Sequence, residues 1–428
     1  MALHCVTLDK AKNFQGNCRD LLVSWSAKQL RTKPAGCRSL LSFPRNFTDA
    51  ALRLAILLIV SAFVVQCGGR PDQMFGGLPD GASIHRDEPF RVAWRKELYR
   101  PSELSYLPEE LAIPALLPQK RRLIIGGADG YVRNVDIQTG QLYWEVDTQN
   151  RVTARPIVDG DRVWVGSYSG YMMALDTNSG RQLWKYDSSA AILSEATLLD
   201  GRLFYTTDTN AVYALDAQTG KYLWHKSRPH TQEFTILGQA PVVGADGVIY
   251  AGFSDGVLMA MAPEDGASVW SRQLGDGTGR FGDIDFAPVI DGDVLYVTSF
   301  RGGVYAIDRT TNEILWRHEV EGGRGPILSG SRLYLGTAGK EVRCIRAADG
   351  GLLWKTSLPD GVPSVPTLVG RWVVVGASGY LALLRADSGE VSAIIPTVDG
   401  FSAHPVALGN RLFVAANGGN LFALDLTP

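Results

Sequence analysis

The chain has 428 residues, 45% hydrophobic and 20% charged, with 47 glycines and 10 tryptophans, enough for one large core or two to three ordinary ones. A formal net charge of −2 conceals an asymmetry: residues 1–66 hold nine Lys/Arg against three Asp/Glu, leaving 33 basic and 41 acidic residues in the rest. A body that acidic has no general attraction for nucleic acid or anionic lipid, which excludes partners held by basic patches.

The first 50 residues carry Cys5, Cys18 and Cys37 without a hydrophobic period. Their wide, irregular spacing lacks the paired C-x2-C of a zinc site, so no metal is expected there. Leu54–Cys67 (LAILLIVSAFVVQC) follows Arg53. It is too short to span a bilayer and has the length of a signal-peptide apolar region. Residues 1–66 therefore read as presequence and signal peptide. Residues 67–88, rich in Gly, Pro and Asp, read as a flexible tether. Cys344 alone lies in the remainder, so that part must hold by packing without a disulfide.

From Pro89 onward one pattern recurs. YMMALDTNSGRQLW (Tyr171–Trp184) is an apolar strand closed by Asp176, a turn built on Asn178, Ser179 and Gly180, and the start of another strand. Asn and Ser bond their own backbone, and Gly takes positive φ without strain. The turn Gly precedes a Trp by four residues at Gly140/Trp144, Gly180/Trp184, Gly220/Trp224, Gly266/Trp270 and Gly350/Trp354. Asn312 replaces Gly before Trp316, and Ala393 replaces Trp after Gly389. A second apolar run (RLIIG, RVWVG, RLFYT, VIYAG) comes before each such strand, and usually a Pro-containing run comes before that. Each unit is thus four short strands in about 40 residues, which predicts a propeller blade. No 3.6-residue apolar period supports a helical solenoid. The Gly-His and Trp-Asp dipeptides of WD repeats are missing. The last unit, His404–Leu426, lacks its Trp-bearing fourth strand, and Phe90–Leu98, with Trp94, is a strand of that type. The pattern therefore predicts an all-β, eight-bladed propeller over residues 89–428, each blade four antiparallel strands, closed by the amino-terminal strand joining the last blade. The tryptophans are expected to wedge between blades.

The repeat is broken in two places. From Trp (or Ala393) to the next first-strand Pro the count is 12 at Trp144, Trp354 and Ala393, but 17 from Trp224 to Pro241 and 18 from Trp270 to Pro288. Fourth-to-first connectors leave on one face, so these two loops should project side by side. Phe234, Ile236 and Leu237 of the first and Arg280, Asp283 and Asp285 of the second then form an apolar cluster beside carboxylates on a protruding edge, a pattern suited to binding a protein.

These repeats, with RFGDIDFAPV (Arg280–Val289) and a start ending at Cys67, resemble the BamB family of outer-membrane lipoproteins of the β-barrel assembly machinery. The resemblance implies a non-catalytic scaffold on the periplasmic face of the outer membrane, anchored by lipid on Cys67. It implies docking to a BamA-like barrel insertase and its complex, contact with nascent outer-membrane proteins, and no cofactor. It assigns partner contact to Asp283 and Asp285, and to Phe234 and Ile236 in place of the family's two leucines. Leu237 stands where the family has an arginine, and Gln66 where its lipidation pattern has a small residue. Two other readings compete. One is a generic exported propeller that binds another protein or a cell-wall polymer. The other is a quinone-dependent dehydrogenase, for which the chain lacks vicinal cysteines and a C-x-x-C-H haem site; Asp283 and Asp285 alone fall well short of a Ca²⁺ shell.

Overall fold

A computed structural model of the chain describes residues 89–101, 110–228, 240–275, 282–397 and 399–427. They form eight four-stranded antiparallel sheets. Blade 1 shows the plan: β2 (Ala115–Leu117), β3 (Arg122–Ile125), β4 (Tyr131–Asp136) and β5 (Leu142–Asp147), hydrogen-bonded in chain order. Six more blades repeat it. The eighth has the order β1-β32-β31-β30, with β1 (Phe90–Glu97), β30 (Val406–Leu408), β31 (Arg411–Ala416) and β32 (Asn420–Leu426). Strand β1 lies antiparallel to β32 from Phe90↔Leu426 to Glu97↔Asn420. The ring is closed as the orphan strand predicted.

The core is divided among the seams between blades. Eight apolar clusters are present among the described residues, and each draws from two neighbouring blades. Along β32, Leu421 and Ala423 join Leu123 and Val135 of blade 1, while Phe422 and Leu424 join Leu381 and Leu383 of blade 7. Successive side chains point to opposite faces of a strand, and both faces here meet another sheet. The middle strands are therefore buried at nearly every position, as in Arg202–Thr207 and Val257–Met261. The outermost strands alternate between half-buried and exposed, as in Ser268–Gln273.

Seven tryptophans act as the expected wedges. Trp144 donates its indole N–H to the Thr177 carbonyl at 2.9 Å and Trp224 to Pro263 at 3.0 Å, each in the next blade. The ring lies against the turn of that blade. A Cβ on Gly180, whose φ is +74°, would come within 2.9 Å of Trp144. The turn glycine is thus required twice, for its dihedral and for its bareness. Asn312 keeps the dihedral, with φ 62°.

The Trp faces its neighbour because of a bulge absent from the sequence reading. Between the third and fourth strands the register slips at one place in each blade, as at Ala174/Leu175 and Ala214/Leu215. Ala214 pairs with Trp224 but Leu215 pairs with Tyr222, so Leu223 is the extra residue. A bulge re-aims the side chains around it. It turns the Trp inward and leaves the residue before it exposed, as at Leu223, Val269, Leu315 and Leu353. Trp224→Ala should lower stability by about 3–5 kcal/mol, since Trp224 is buried against Phe204 and anchors two blades. A denaturant titration measures this; a loss below about 1 kcal/mol would contradict the wedge role.

Candidate functional site

The rim is built where chain leaves a fourth strand and approaches the next first strand. These connectors do emerge on the face of the second-to-third turns. In blade 4, Leu274 N–H bonds the Gly256 carbonyl at 2.9 Å, and Ile284 N–H bonds Phe253 O at 3.3 Å. The register refines their lengths. Val243 pairs with Tyr250 as Val289 pairs with Tyr296, so Val242, not Pro241, fills the slot of Pro288. Both connectors then run 18 residues from their Trp, and the first hairpins of blades 4 and 5 have the same length. A third long connector escaped the sequence reading. Once Trp94 belongs to blade 8, the path from Trp94 to Pro114 is 20 residues. A count begun inside the repeats could not register it.

Of the sequence-predicted site, Asp283 and Asp285 are described. Phe234, Ile236, Leu237, Arg280 and Cys67 lie outside the described residues. Gly282–Phe286 is tied to both flanking blades. Phe300 N–H donates to Asp283 O at 2.9 Å, and the Ser299 hydroxyl donates to Gly282 O at 2.9 Å. Ile284 is buried in the seam between blades 4 and 5. A Cβ added to Gly252 would sit 2.2 Å from Ile284 Cγ2. Gly252→Ala is therefore expected to cost about 1–3 kcal/mol in a thermal melt, and the added Ile284→Ala should recover part of the loss. Additive losses would show that the two do not touch.

The carboxylates depart from the sequence expectation. They were expected exposed on a protruding edge. Instead Asp283 is 1% and Asp285 9% exposed. The reason is local: the segment is pinned by backbone bonds on both sides, so its side chains lie between blades and not above them. Burial, then the charge of Asp283, pushes the Asp285 carboxyl well above the usual carboxylate range, while Arg324 opposes the shift. Asp285 Oδ1 makes no hydrogen bond among the described residues. The sequence reading did not single out Arg324. Its signal was positional: the residue two before the first-strand Pro slot is Ala112, Ala154, Ser194, Ala240, Ser364 or Ala403 in six blades, but Phe286 and Arg324 in blades 5 and 6. The deviant pair adjoins the acidic one, and Phe286 fills the space over Gly325. Such a site holds two carboxylates and a guanidinium in a low-dielectric seam next to two long loops. Among the described residues it gathers no group of three or more metal ligands.

The family described as outer membrane protein assembly factor BamB matches residues 128–356 and 338–427. The chain belongs to the BamB family. It is 30% identical over 195 residues to the BamB of Legionella pneumophila strain Paris, covering 44% of this chain and 50% of that protein. This chain thus spans about half the length of the curated BamB relatives it matches. The crystal structure of BamB from Moraxella catarrhalis superposes with a TM-score of 0.68 at 20% identity, over 79% of this chain and 100% of that one. A quinohemoprotein alcohol dehydrogenase from Comamonas testosteroni also superposes, with a TM-score of 0.63 at 14% identity over 79% of this chain and 76% of that one. At such identities the two structures share the fold. No helix among the described residues is long and apolar enough to cross a membrane.

Proposed function

We propose that this chain is a non-catalytic scaffold of outer-membrane β-barrel assembly. It docks to the periplasmic part of a BamA-like insertase and helps to present nascent outer-membrane proteins to it. The docking rim comprises residues 227–238 and 275–286, with Phe234, Ile236, Leu237, Arg280, Asp283 and Asp285 as contacts. Lipid on Cys67, reached through the tether at 67–88, holds the ring to the periplasmic face of the outer membrane. Membership of the BamB family supports the setting. The observation that carries the rim is the buried, mutually repelling pair Asp283/Asp285 at the end of an over-long connector. Perturbed carboxylates that lower stability gather at functional sites, and a rigid ring presents loops to partners without ordering itself.

The test is co-purification of the tagged full chain from detergent-solubilised membranes. Recovery of a barrel insertase as the main partner is expected; recovery of other proteins without it would favour a generic exported binder. Anchoring is tested separately by fractionation of Cys67→Ala. The variant should leave the membrane fraction, and unchanged fractionation would exclude the lipid.

A further inference from the structure

The turn between the second and third strands of blade 4, Phe253–Gly256, holds more than its own blade. At the start of the 227–238 connector, Arg228 Nε and Nη2 donate to Asp255 Oδ2 at 2.9 and 2.7 Å. At the start of the 275–286 connector, Gln273 Nε2 donates to Asp255 O at 2.9 Å and Leu274 N–H to Gly256 O at 2.9 Å. Where that connector returns, Ile284 N–H reaches Phe253 O at 3.3 Å. A Cβ on Gly256 would lie 2.9 Å from Gly282 O, so the returning backbone also rests on the turn. Four residues thus receive one end of the first connector and both ends of the second.

The repeat shows which of these contacts belong to this place alone. In six blades the residue four after the Trp slot sends its N–H to the carbonyl of its own blade's turn: Thr148 to Gly130, Ser188 to Gly170, Arg228 to Asn210, Leu274 to Gly256, Leu358 to Lys340 and Thr397 to Gly379. In five of the six the side chain is small or apolar, and the Thr148 and Ser188 hydroxyls bond Gly130 O and Gly170 O of their own turns. In blade 3 it is the guanidinium of Arg228, which crosses to blade 4. The pair is largely withdrawn from water: the Arg228 side chain is 26% and that of Asp255 15% exposed, and the guanidinium lies 5.6 Å from the Phe253 ring centroid. The other carboxylate oxygen, Oδ1, accepts Val257 N–H at 3.2 Å, which fixes Asp255 in its turn. Asn210, in the slot of Gly130 and Gly170, adds a second tie from blade 3 by accepting Ser254 N–H on its Oδ1 at 3.1 Å.

We infer, on the reading of this rim as the insertase contact, that Asp255 is a positioning residue which holds the bases of both long connectors in one arrangement. Its carboxylate ties the first connector through a charge-assisted pair, the stronger kind of hydrogen bond. Its carbonyl and that of Gly256 tie the second. Disturbing either tie shifts the turn on which the other rests, so the partner is bound by the two connectors as one surface. Groups that share one hydrogen-bond network have effects that do not add. A surface already held in place also loses less freedom on binding.

Backbone amide exchange of the full chain tests the coupling without any partner. In Asp255→Ala the amides of Arg228, Leu274 and Ile284 should all exchange about tenfold faster or more, while those within Tyr222–Ser227 and Ser268–Gln273 keep their parent rates. Faster exchange at Arg228 alone, or at none of the three, would overturn the coupling. Faster exchange throughout both strands would show a merely structural loss and overturn it as well. Insertase capture is the second readout. Arg228→Gln and Gln273→Ala, which trim one tie each, should each weaken it about fivefold. The double variant should be no worse than the weaker single, and losses that multiply would count against a shared mount. These two milder variants also carry the exchange test if Asp255→Ala does not fold, since each should speed the amides of both bases. A parent chain that captures no insertase would remove the docking reading, and the exchange rates would still decide whether the two bases are coupled.

Discussion

Asp283→Asn combined with Asp285→Asn should lose the insertase while melting no lower than the parent chain. The side chains keep their shape, so the seam between blades 4 and 5 stays filled. What disappears is charge. A charged contact in a desolvated interface is worth about 2 kcal/mol or more, a drop in affinity on the order of thirtyfold. The stability effect has the opposite sign. Burial and Asp283 raise the Asp285 carboxyl above its unfolded value. The folded state therefore favours the protonated acid. Its stabilising effect is complete below the unfolded value near about 4 and is lost as pH rises through the folded one. Once pH has risen through the folded value the parent chain bears that loss and the amide variant does not, so the variant's melting profile should be flatter as pH rises from about 4. Full capture of the insertase by the variant would sink the assignment of these carboxylates. A lower melting temperature at pH 7 would instead show that their charge supports the fold.

Removing Phe90–Glu97 is expected to have the largest effect on the fold. Seven residue pairs join β1 to β32. The segment also carries Trp94, whose indole donates to Ile137 O at 3.0 Å and whose ring lies over Gly140. Loss of that side chain alone costs about 3–5 kcal/mol, a large share of the 5–15 kcal/mol typical of a whole domain. The deletion also strips β32 to a bare edge whose N–H and C=O groups invite pairing with another chain. Size-exclusion chromatography should show aggregate in place of a single species. A clasp behind the strand adds to the effect. Glu110, 1% exposed, accepts from the Tyr99 hydroxyl at 2.6 Å and the backbone N–H of Ala112 at 2.8 Å and Ala128 at 3.0 Å. A shortened chain that stays monomeric and melts like the parent would show that the eighth blade is complete with three strands.

The ring could be read from the chain because its signals are short-range and repeated. Gly180 and Trp184 sit four apart in one hairpin, and the same pair returns blade after blade. Closure could be read because Trp94 belongs to a strand type that His404–Leu426 lacks. The bulges could not be read, since Leu223 looks like any alternating strand residue until its pairing is known. Nor could the burial of Asp283 and Asp285. Their sequence neighbours, Gly282 and Arg280, suggest an exposed loop. Their burial comes from Phe253, Ser299 and Phe300, which the fold brings from two blades. Arg155 and Glu195 show the same gap over a longer range: they come from neighbouring blades and lie 3.8 Å apart.

The closing strand also makes the order of the blades arbitrary. Thr427 N–H bonds Pro89 O at 2.9 Å, so the two ends of the described ring touch. A short linker could join them and a new start could be cut at the tip of any first hairpin, such as that of Gly160, whose surroundings are open. Each seam cluster is built from two adjacent blades and would be indifferent to which one the chain enters first. The ring is a cycle in space that the gene happens to cut within its eighth blade, and a permuted chain should rebuild the same eight seams.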